Sequence, residues 1–571
     1  MKLKYIIAAA FLALAGMNAN AQTMYDAFRF SDNNYYGTAR SIAMGNAFTA
    51  LGGDLGSIGI NPAGSSVNSY SQFTLTPNVS ILCTAAGYNS NPAQNSMFEN
   101  SISRNKSRFS IPNFGFTTTF KTGNRSGIKS FTVGFVGNAT ANYLDGILAY
   151  GRNDQTTMLG SLATGASADG IPSDKLNSNA WDAGYNWRNM VAYQSGMIAT
   201  IDDAKVNYIG ATEKLYQNDN GDSEIMLGGP LDQTYGKVSY GNKYDMQVNF
   251  GMNISDMIYL GANLGLISIN YESDSYFREE AVNPKDFQNE FENGVKINFN
   301  NAEFGDYYLA NASGVYGKFG IIALPVNGLR LGLAIQTPTM TAITEHWQYR
   351  GETHFSDRKF DAKATSDYGV YDYRLISPYR VNFGAAYTSR YGLISVDYEL
   401  SDYSQMRFKE QGTNINSQFD LVNRLNNRFF GFQHNLRIGA ELRLPYNFSV
   451  RAGYNLTTSP ERFWRDKEGI VDAGVYESMY FDNKISDSEF RSWEESLGGM
   501  EYVQANTQSF SFGLGYQTKR SFFFDIACRG TMRPATYIYP YDNYLDDGIA
   551  SPEIRVKSTL WDVVATFGWR F

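Results

Sequence analysis

The sequence predicts an all-β fold, a 14-stranded antiparallel transmembrane β-barrel plugged by an N-terminal hatch. Three observations carry that expectation. Apolar and polar residues alternate with period two over segments longer than ordinary globular strands; short and long connections take turns along the chain; and a glycine-rich, semi-apolar ribbon precedes the first strand.

The chain opens "MKLKYIIAAAFLALAGMNANAQ". Lys2 and Lys4 precede an apolar run from Tyr5 to about Gly16, and Ala19-Asn20-Ala21 is a small-residue cleavage site. Residues 1–21 therefore read as a secretory signal peptide cleaved near Ala21, too short to span about 30 Å of hydrocarbon. Residues 22–71 form the expected hatch and residues 72–571 the barrel. The 571 residues hold 54 Gly, 40 Tyr and 38 Phe but 15 Pro and 3 His, and no Pro/Ser-rich linker divides them, which favours one large closed sheet over several domains. A net charge of −8 without a basic face excludes nucleic acid as a partner. Cys83 and Cys528 are the two cysteines; no disulfide framework is implied, and spacing does not say whether they pair.

The period-two signal is clear in "YDMQVNFGMNI". Tyr244, Met246, Val248, Phe250, Met252 and Ile254 alternate with Asp245, Gln247, Asn249, Gly251 and Asn253. "NLRIGAELRL" sets Leu436, Ile438, Ala440, Leu442 and Leu444 against Asn435, Arg437, Gly439, Glu441 and Arg443. Each strand thus has one apolar and one polar face. The expected strands are 72–83, 109–121, 128–142, 237–254, 257–279, 312–325, 329–350, 374–389, 392–410, 430–444, 447–461, 507–518, 520–540 and 554–571. Short connections such as 255–257, 326–328 and 445–447 alternate with long ones at 84–108, 143–236, 280–311, 351–373, 411–429, 462–506 and 541–553. A sandwich has no reason to sort its loops this way, whereas an outer-membrane barrel has periplasmic turns and extracellular loops. In the last strand Trp561, Val563, Ala565, Phe567, Trp569 and Phe571 share the apolar face. A barrel this wide cannot fill itself with its own side chains, so a glycine-rich insert that bonds to a polar lumen fits as a plug.

"ARSIAMGNAFTALGGD" followed by "INPAG" resembles the N-terminal hatch of the FadL/TodX (OMPP1) family of outer-membrane transporters for hydrophobic compounds, in its Bacteroidetes-type form. The resemblance implies hatch roles for Gly45, Gly52, Gly53, Asp54, Asn61, Pro62 and Ala63; Asn46 and Ile60 stand where matching members often have Gly and an aromatic residue. It implies bacterial outer-membrane localisation, outer-membrane lipid as surroundings, and reading of the terminal Phe571 by the barrel-assembly machinery. The protein is expected to be a monomer and not an enzyme. The function implied is uptake of a hydrophobic small molecule such as a long-chain fatty acid, captured on the loops and released sideways through a gap in the wall. The physics favours the sideways exit, since an apolar solute gains about 0.8 kcal/mol per buried CH₂.

Three groups of residues are candidates for parts of that route. Gly134, Gly137 and Asn138 lie in the third strand, where this family has a kink, and glycines inside a strand mark bends. Trp187, Met190, Val191, Met197 and Ile198 form an apolar stripe in the longest loop and are expected either to capture ligand or to pack on that loop. Arg330, Asp397, Glu399, Arg437, Glu441, Arg443, Arg451, Asp525 and Arg529 fall on polar faces, as paired ladders or, for one Arg, as a carboxylate partner. No cofactor is expected. His346, His354 and His434 lack metal-ligand spacing, no metal site is implied, and no serine marks a nucleophile. The alternatives are a protein-binding secretion shuttle or scaffold on the same fold, a haem receptor, and a passive polar porin.

Overall fold

A computed structural model describes residues 23–571 apart from 93–97, 203, 218–222, 291–293, 412–418, 466–469, 482–485, 498–499, 519–520 and 542–550. The expected signal peptide and its cleavage site lie outside the described residues.

Fourteen antiparallel wall strands form a closed ring. They are β1 (Gln72–Asn89), β2 (Glu99–Lys121), β3 (Ile128–Asn142, continued by Asp145–Asn153), β4 (Leu231–Ile254), β5 (Ile258–Ala281), β6 (Lys296–Val326), and β7 (Leu329–Gln336 and Met340–Phe355). The ring continues with β8 (Gly369–Ile376 and Arg380–Thr388), β9 (Gly392–Asp402, then Arg407–Glu410), β10 (Phe432–Arg443) and β11 (Phe448–Thr457). It ends with β12 (Thr507–Gln517), β13 (Phe522–Met532, then Thr536–Ile538) and β14 (Glu553–Arg570). Neighbours in sequence pair throughout, and β14 pairs with β1 from Gln72↔Arg570 to Asn89↔Glu553. Ser71 and Phe571 exchange backbone hydrogen bonds of 3.0 Å at the seam.

The polarity is inside-out. Every wall strand turns large apolar side chains outward, more than a third exposed, from Phe73 on β1 through Phe319 on β6 to Val563 on β14. Facing inward on β1 are the buried polar residues Gln72, Thr74, Thr76, Asn78 and Ser80. Water would penalise such an outer belt at roughly 25 cal/mol per Å² of apolar surface, whereas hydrocarbon does not. No helix among the described residues is long and apolar enough to cross a membrane, so the crossing is made by strands.

All fourteen expected strands are present, with instructive differences in extent. β5 and β6 run on to Ala281 and back from Lys296, so most of the expected loop 280–311 is paired strand. Beyond Leu266 the outward positions become Ser268, Asn270, Glu272 and Asp274, so the apolar face stops while the ladder continues. The expected loops 84–108 and 351–373 are shortened by similar extensions of β1, β2 and β7. Conversely, β7 and β8 are each interrupted at one height, at residues 337–339 and 377–379, where Pro338 and Pro378 cannot donate to the ladder. Pro534 interrupts β13 in the same way.

Two short turns show why they are tight. Ser255 and Asp256 have φ of 57° and 56°, and Tyr446 and Asn447 have 61° and 63°. Positive φ at both central residues defines the hairpin turn whose twist matches antiparallel strands. Cys83 and Cys528 are free thiols.

Candidate functional site

The hatch threads the length of the lumen. Helix α1 (Met24–Ser31) starts with a capping box, Thr23 with Asp26, and lies at the long-loop end, where Phe28 packs on Tyr403 and Phe430 at 5.1 and 5.4 Å. The chain then descends through Tyr35 and Tyr36 to helix α2 (Ala39–Ala43) and reaches the short-turn rim at Tyr70. It therefore spans the lumen from the long-loop end to the short-turn rim.

The hatch residues singled out from sequence cap its turns. Asp54 accepts from Gly56 N at 2.9 Å and from Thr38 Oγ1 at 2.8 Å. Asn61 caps the turn Pro62–Val67 by accepting from Ala63 N at 3.1 Å, with Pro62 at the first position, where a missing N–H is harmless. The Asn61 side chain also donates to Thr49 O at 2.7 Å and to Ile321 O on β6 at 3.2 Å. Ala63 packs against Tyr259 and Ile322 of the wall. Gly45 and Asn46 both have positive φ, 60° and 61°, so Asn46, with its side chain donating to Tyr35 O at 2.8 Å, supplies a conformation that glycine usually fills. Gly52 has φ 59°, and a Cβ there would stand 2.8 Å from Gly64 Cα. Gly53, too, has positive φ.

The wall has been pared down to receive this ribbon. A Cβ on Gly332 of β7 would lie 2.1 Å from Thr49 O; on Gly439 of β10, 2.4 Å from Met44 O; and on Gly453 of β11, 2.1 Å from Gly45 N. On Gly261 of β5 it would lie 2.3 Å from Ala63 N, and on Gly320 of β6, 1.9 Å from Asn61 Oδ1. Hatch atoms, backbone at all of these but Gly320, occupy the space where lumen side chains would otherwise stand.

Around this seat the inward charges are mostly paired. Arg437, fully buried, meets Glu399, which also pairs with Arg380 at 3.2 Å and accepts from Asn382 at 2.6 Å. Glu441 accepts from Arg451 at 2.8 Å and from hatch Arg40 at 2.9 Å; Arg451 also reaches Asp525 at 2.5 Å, and Arg529 reaches Asp562 at 2.8 Å. Asp397 accepts from Thr49 N at 2.6 Å, and Arg330 donates to Leu51 O at 2.6 Å. Arg443, at the rim, is half exposed. Sequence reasoning missed Arg40, Lys243, Lys318, Arg380 and Asp562. Lys318 donates to Gly59 O at 2.8 Å and Lys243 to Phe30 O at 3.0 Å, both clamping hatch carbonyls. Lys243 shares the polar face with Asp245 and Gln247, so its signal was in the alternation.

The expected kink at Gly134–Asn138 requires correction. β3 pairs without interruption from Ser130 to Asn138 with β2, and through the same residues with β4. The glycines there make room for cross-strand neighbours: a Cβ on Gly137 would meet the Phe114 ring at 2.5 Å, and one on Gly134 would meet Thr117 Cγ2 at 2.7 Å. The β2–β3 hydrogen bonding opens just beyond. The β3–β4 register slips between Ala139 and Ala141, and the β2–β3 ladder ends at Asn113↔Asn138. From Asp145 the strand still pairs with β4 but runs inside the wall, where Ile147 and Ala149 pack on Ala86 and Tyr88 of β1. Among the described pairings, β2 above Asn113 bonds only to β1. Side chains bridge the opening: Arg108 donates to Gly241 O at 2.5 Å, and Lys106 to the Tyr240 hydroxyl at 3.1 Å. Gly241 has φ 121°, and a Cβ there would lie 2.0 Å from Asn270 O, so this position in β4 demands glycine.

A lumen cavity of about 480 Å³ borders this break. Ala141 to Asp145 form one side, the hatch supplies Phe28, Arg29, Tyr35 and Tyr36, and β12 to β14 supply Ser509, Arg529, Val556, Ser558 and Leu560. The lining mixes aromatic and aliphatic surface with hydrogen-bonding and cationic groups, the composition that receives an apolar body with a polar end.

The stripe in the longest loop is not a surface. In helix α3 (Trp187–Gln194), Met190 and Val191 are fully buried; Met197 and Ile198 follow the helix, buried in the same core, and Trp187 packs at its edge. Of the two roles expected for these side chains, their burial fits packing on the loop and not capture of ligand. The same loop buries Glu213, whose carboxylate accepts from Gly210 N at 2.7 Å. Burial pushes the Glu213 carboxyl up to about 7, with Glu279 adding to the rise. The folded state then binds a proton that the unfolded chain releases near 4.5, so its contribution to stability is full below about 4.5 and is lost as pH rises through about 7. Hydrogen exchange at Gly210 and its neighbours, corrected for intrinsic rate, is expected to be slower at pH 5 than at pH 8.

The apolar outer belt, closed strand ring and threaded lumen define a hatch-plugged β-barrel of the membrane-spanning kind. No family model and no curated protein sequence matches the chain. Among solved structures it is similar to the Pseudomonas putida toluene transporter TodX, at 10% identity over 95% of this chain and 99% of that one, with a TM-score of 0.48. It is also similar to a Pseudomonas aeruginosa FadL homologue, at 10% identity over 94% and 99% with a TM-score of 0.47. The Ralstonia pickettii toluene transporter TbuX gives 12% identity over 95% and 100%, with a TM-score of 0.44. Among the described residues, no group of three or more His, Cys, Asp or Glu is placed to hold a metal ion.

Proposed function

We propose that this chain is an outer-membrane barrel, with long loops outside and short turns in the periplasm, that takes up small hydrophobic molecules bearing a polar end and releases them sideways into the membrane. The observation that supports this reading is the coincidence of the lumen cavity with the inward turn of β3 at Ala141–Asp145. The seated hatch blocks the straight route to the periplasm, and an apolar solute that leaves between β2 and β4 never has to cross water. The long-chain fatty acid expected from the family resemblance suits a cavity holding both aromatic surface and hydrogen-bonding side chains such as Ser509 and Ser558; a purely aliphatic cargo suits it less well.

Ser558→Trp fills the cavity from β14 without touching the hatch contacts named above. Uptake of a radiolabelled fatty acid by cells carrying this variant is expected to fall at least tenfold while heat-modifiable mobility, the mark of a folded barrel, is unchanged. Wild-type uptake by the folded variant overturns the reading. One observation favours the protein-binding alternative, the exposed tyrosines Tyr368, Tyr537 and Tyr539 at the long-loop end. Loss of a phenotype on their replacement, with uptake intact, would select it.

A further inference from the structure

The opposite mouth of the barrel carries a feature that uptake does not use. At the short-turn rim a cavity of about 630 Å³ is floored by the hatch at Leu51–Gly53 and Val67–Tyr70. Five arginines line it: Arg40 from the hatch, Arg330 from β7, Arg390 from the β8–β9 turn, Arg443 from the end of β10 and Arg570 from the end of β14. No aspartate or glutamate is among its lining residues. The nearest carboxylate engaged with them, Glu441, is shared between Arg40 at 2.9 Å, Arg451 at 2.8 Å and Arg443 at 3.7 Å.

The other three guanidiniums have no carboxylate partner among the described ion pairs. Arg330 donates one N–H to Leu51 O, and its Nε is buried without a hydrogen-bond partner. Arg570 lies over the Tyr70 and Phe523 rings at 4.9 and 4.7 Å, and its Nε is likewise buried and unpartnered. Arg390 stacks on Tyr391 at 4.4 Å and gives one of its N–H groups to the Tyr391 hydroxyl, leaving the others. Stacking fixes the plane of a guanidinium and leaves its N–H edge free, while like charges gathered in one recess repel unless an anion joins them. Deeper in the lumen Arg380, Arg437, Arg451 and Arg529 are each matched to Asp or Glu, whereas these three are not.

We propose that the rim cavity is a binding site for a small, multiply charged oxyanion of phosphate or carboxylate chemistry, held by Arg330, Arg570 and Arg390 with Arg40 and Arg443 at its sides. The hatch and the strand ring enclose it, so the anion arrives from the periplasmic solution. Because Arg40 and the Leu51 carbonyl belong to the hatch, an anion there ties hatch to wall. The inference stands apart from the uptake reading.

Titration calorimetry on the full chain in an uncharged maltoside detergent, with inorganic pyrophosphate and with citrate, tests it. Saturable binding of at least one probe is expected, weakened at least tenfold in the double variant R330Q/R570Q, with chloride a poor competitor. R390Q, at an exposed turn that carries no hatch contact, is expected to weaken it less, and Lys129→Gln, at the start of β3 and away from this cavity, not at all. Pyrophosphate bound more tightly than citrate assigns the site to phosphates, and the reverse to carboxylates. No saturable binding, or equal binding by the wild type and the folded double variant, overturns the proposal.

Discussion

A Gly453→Val barrel is expected to lose its stopper. The added Cβ would lie 2.1 Å from Gly45 N and 2.4 Å from Met44 C, and these are backbone atoms with no rotamer to give way. Overpacking of a rigid core costs about 1–3 kcal/mol, and here the least constrained relief is for the hatch to move off the wall. Planar-bilayer recordings are expected to show stepwise conductance absent from the wild type, and cells are expected to become sensitive to large polar antibiotics. Gly317→Ala on β6 is the control: its Cβ would meet nothing nearer than Thr337 Cγ2 at 3.8 Å, so it should behave as wild type. A silent Gly453→Val channel with unchanged melting would show that the hatch contacts on β11 are dispensable.

Glu399→Ala is expected to be the most destabilising single change in the lumen. It strands two buried guanidiniums, Arg437 with a fully buried side chain and Arg380 with one 3% exposed, which share no other carboxylate at comparable distance. Removing one partner of a buried ion pair typically costs about 3–5 kcal/mol, because the remaining charge is left without compensation. Glu399→Gln keeps the acceptor oxygen for Asn382 and should cost less. The temperature at which the detergent-solubilised barrel loses its compact electrophoretic mobility is the readout, with the order wild type, Gln, Ala. Equal temperatures for all three would mean that the cluster is solvated.

The strands were legible because a membrane barrel writes its surroundings into every second residue. Where outward residues face hydrocarbon, as at Leu264 and Leu266, the alternation shows; where the wall rises into water at Asn270 and Glu272 the pairing persists but the pattern fades, which is why the strand ends were set too short. Pro338, Pro378 and Pro534 were visible as letters, yet their effect on β7, β8 and β13 depended on which ladder each faced. Asn61, Pro62 and Ala63 were picked out by resemblance alone, and the cap that Asn61 makes on its turn emerged only from the structure. The end of the β2–β3 ladder was misplaced, since glycine signals both bends and close approach: at Gly137 the reason was the Phe114 ring, while the position whose φ demands glycine was Gly241 on another strand. Met190 and Val191 illustrate the same limit, for a stripe tells which residues share a face and not what covers it.

The path of the hatch constrains how the molecule is made. The α1 rings rest under the loops at one mouth, whereas Ser71 clasps Phe571 at the other. Drawing some fifty residues through a finished cylinder would mean breaking each carbonyl clamp and glycine seat in turn, so the cheaper order is to roll the sheet around its own leading segment and fasten the seam last. The cork is then part of the mould on which the bottle is cast.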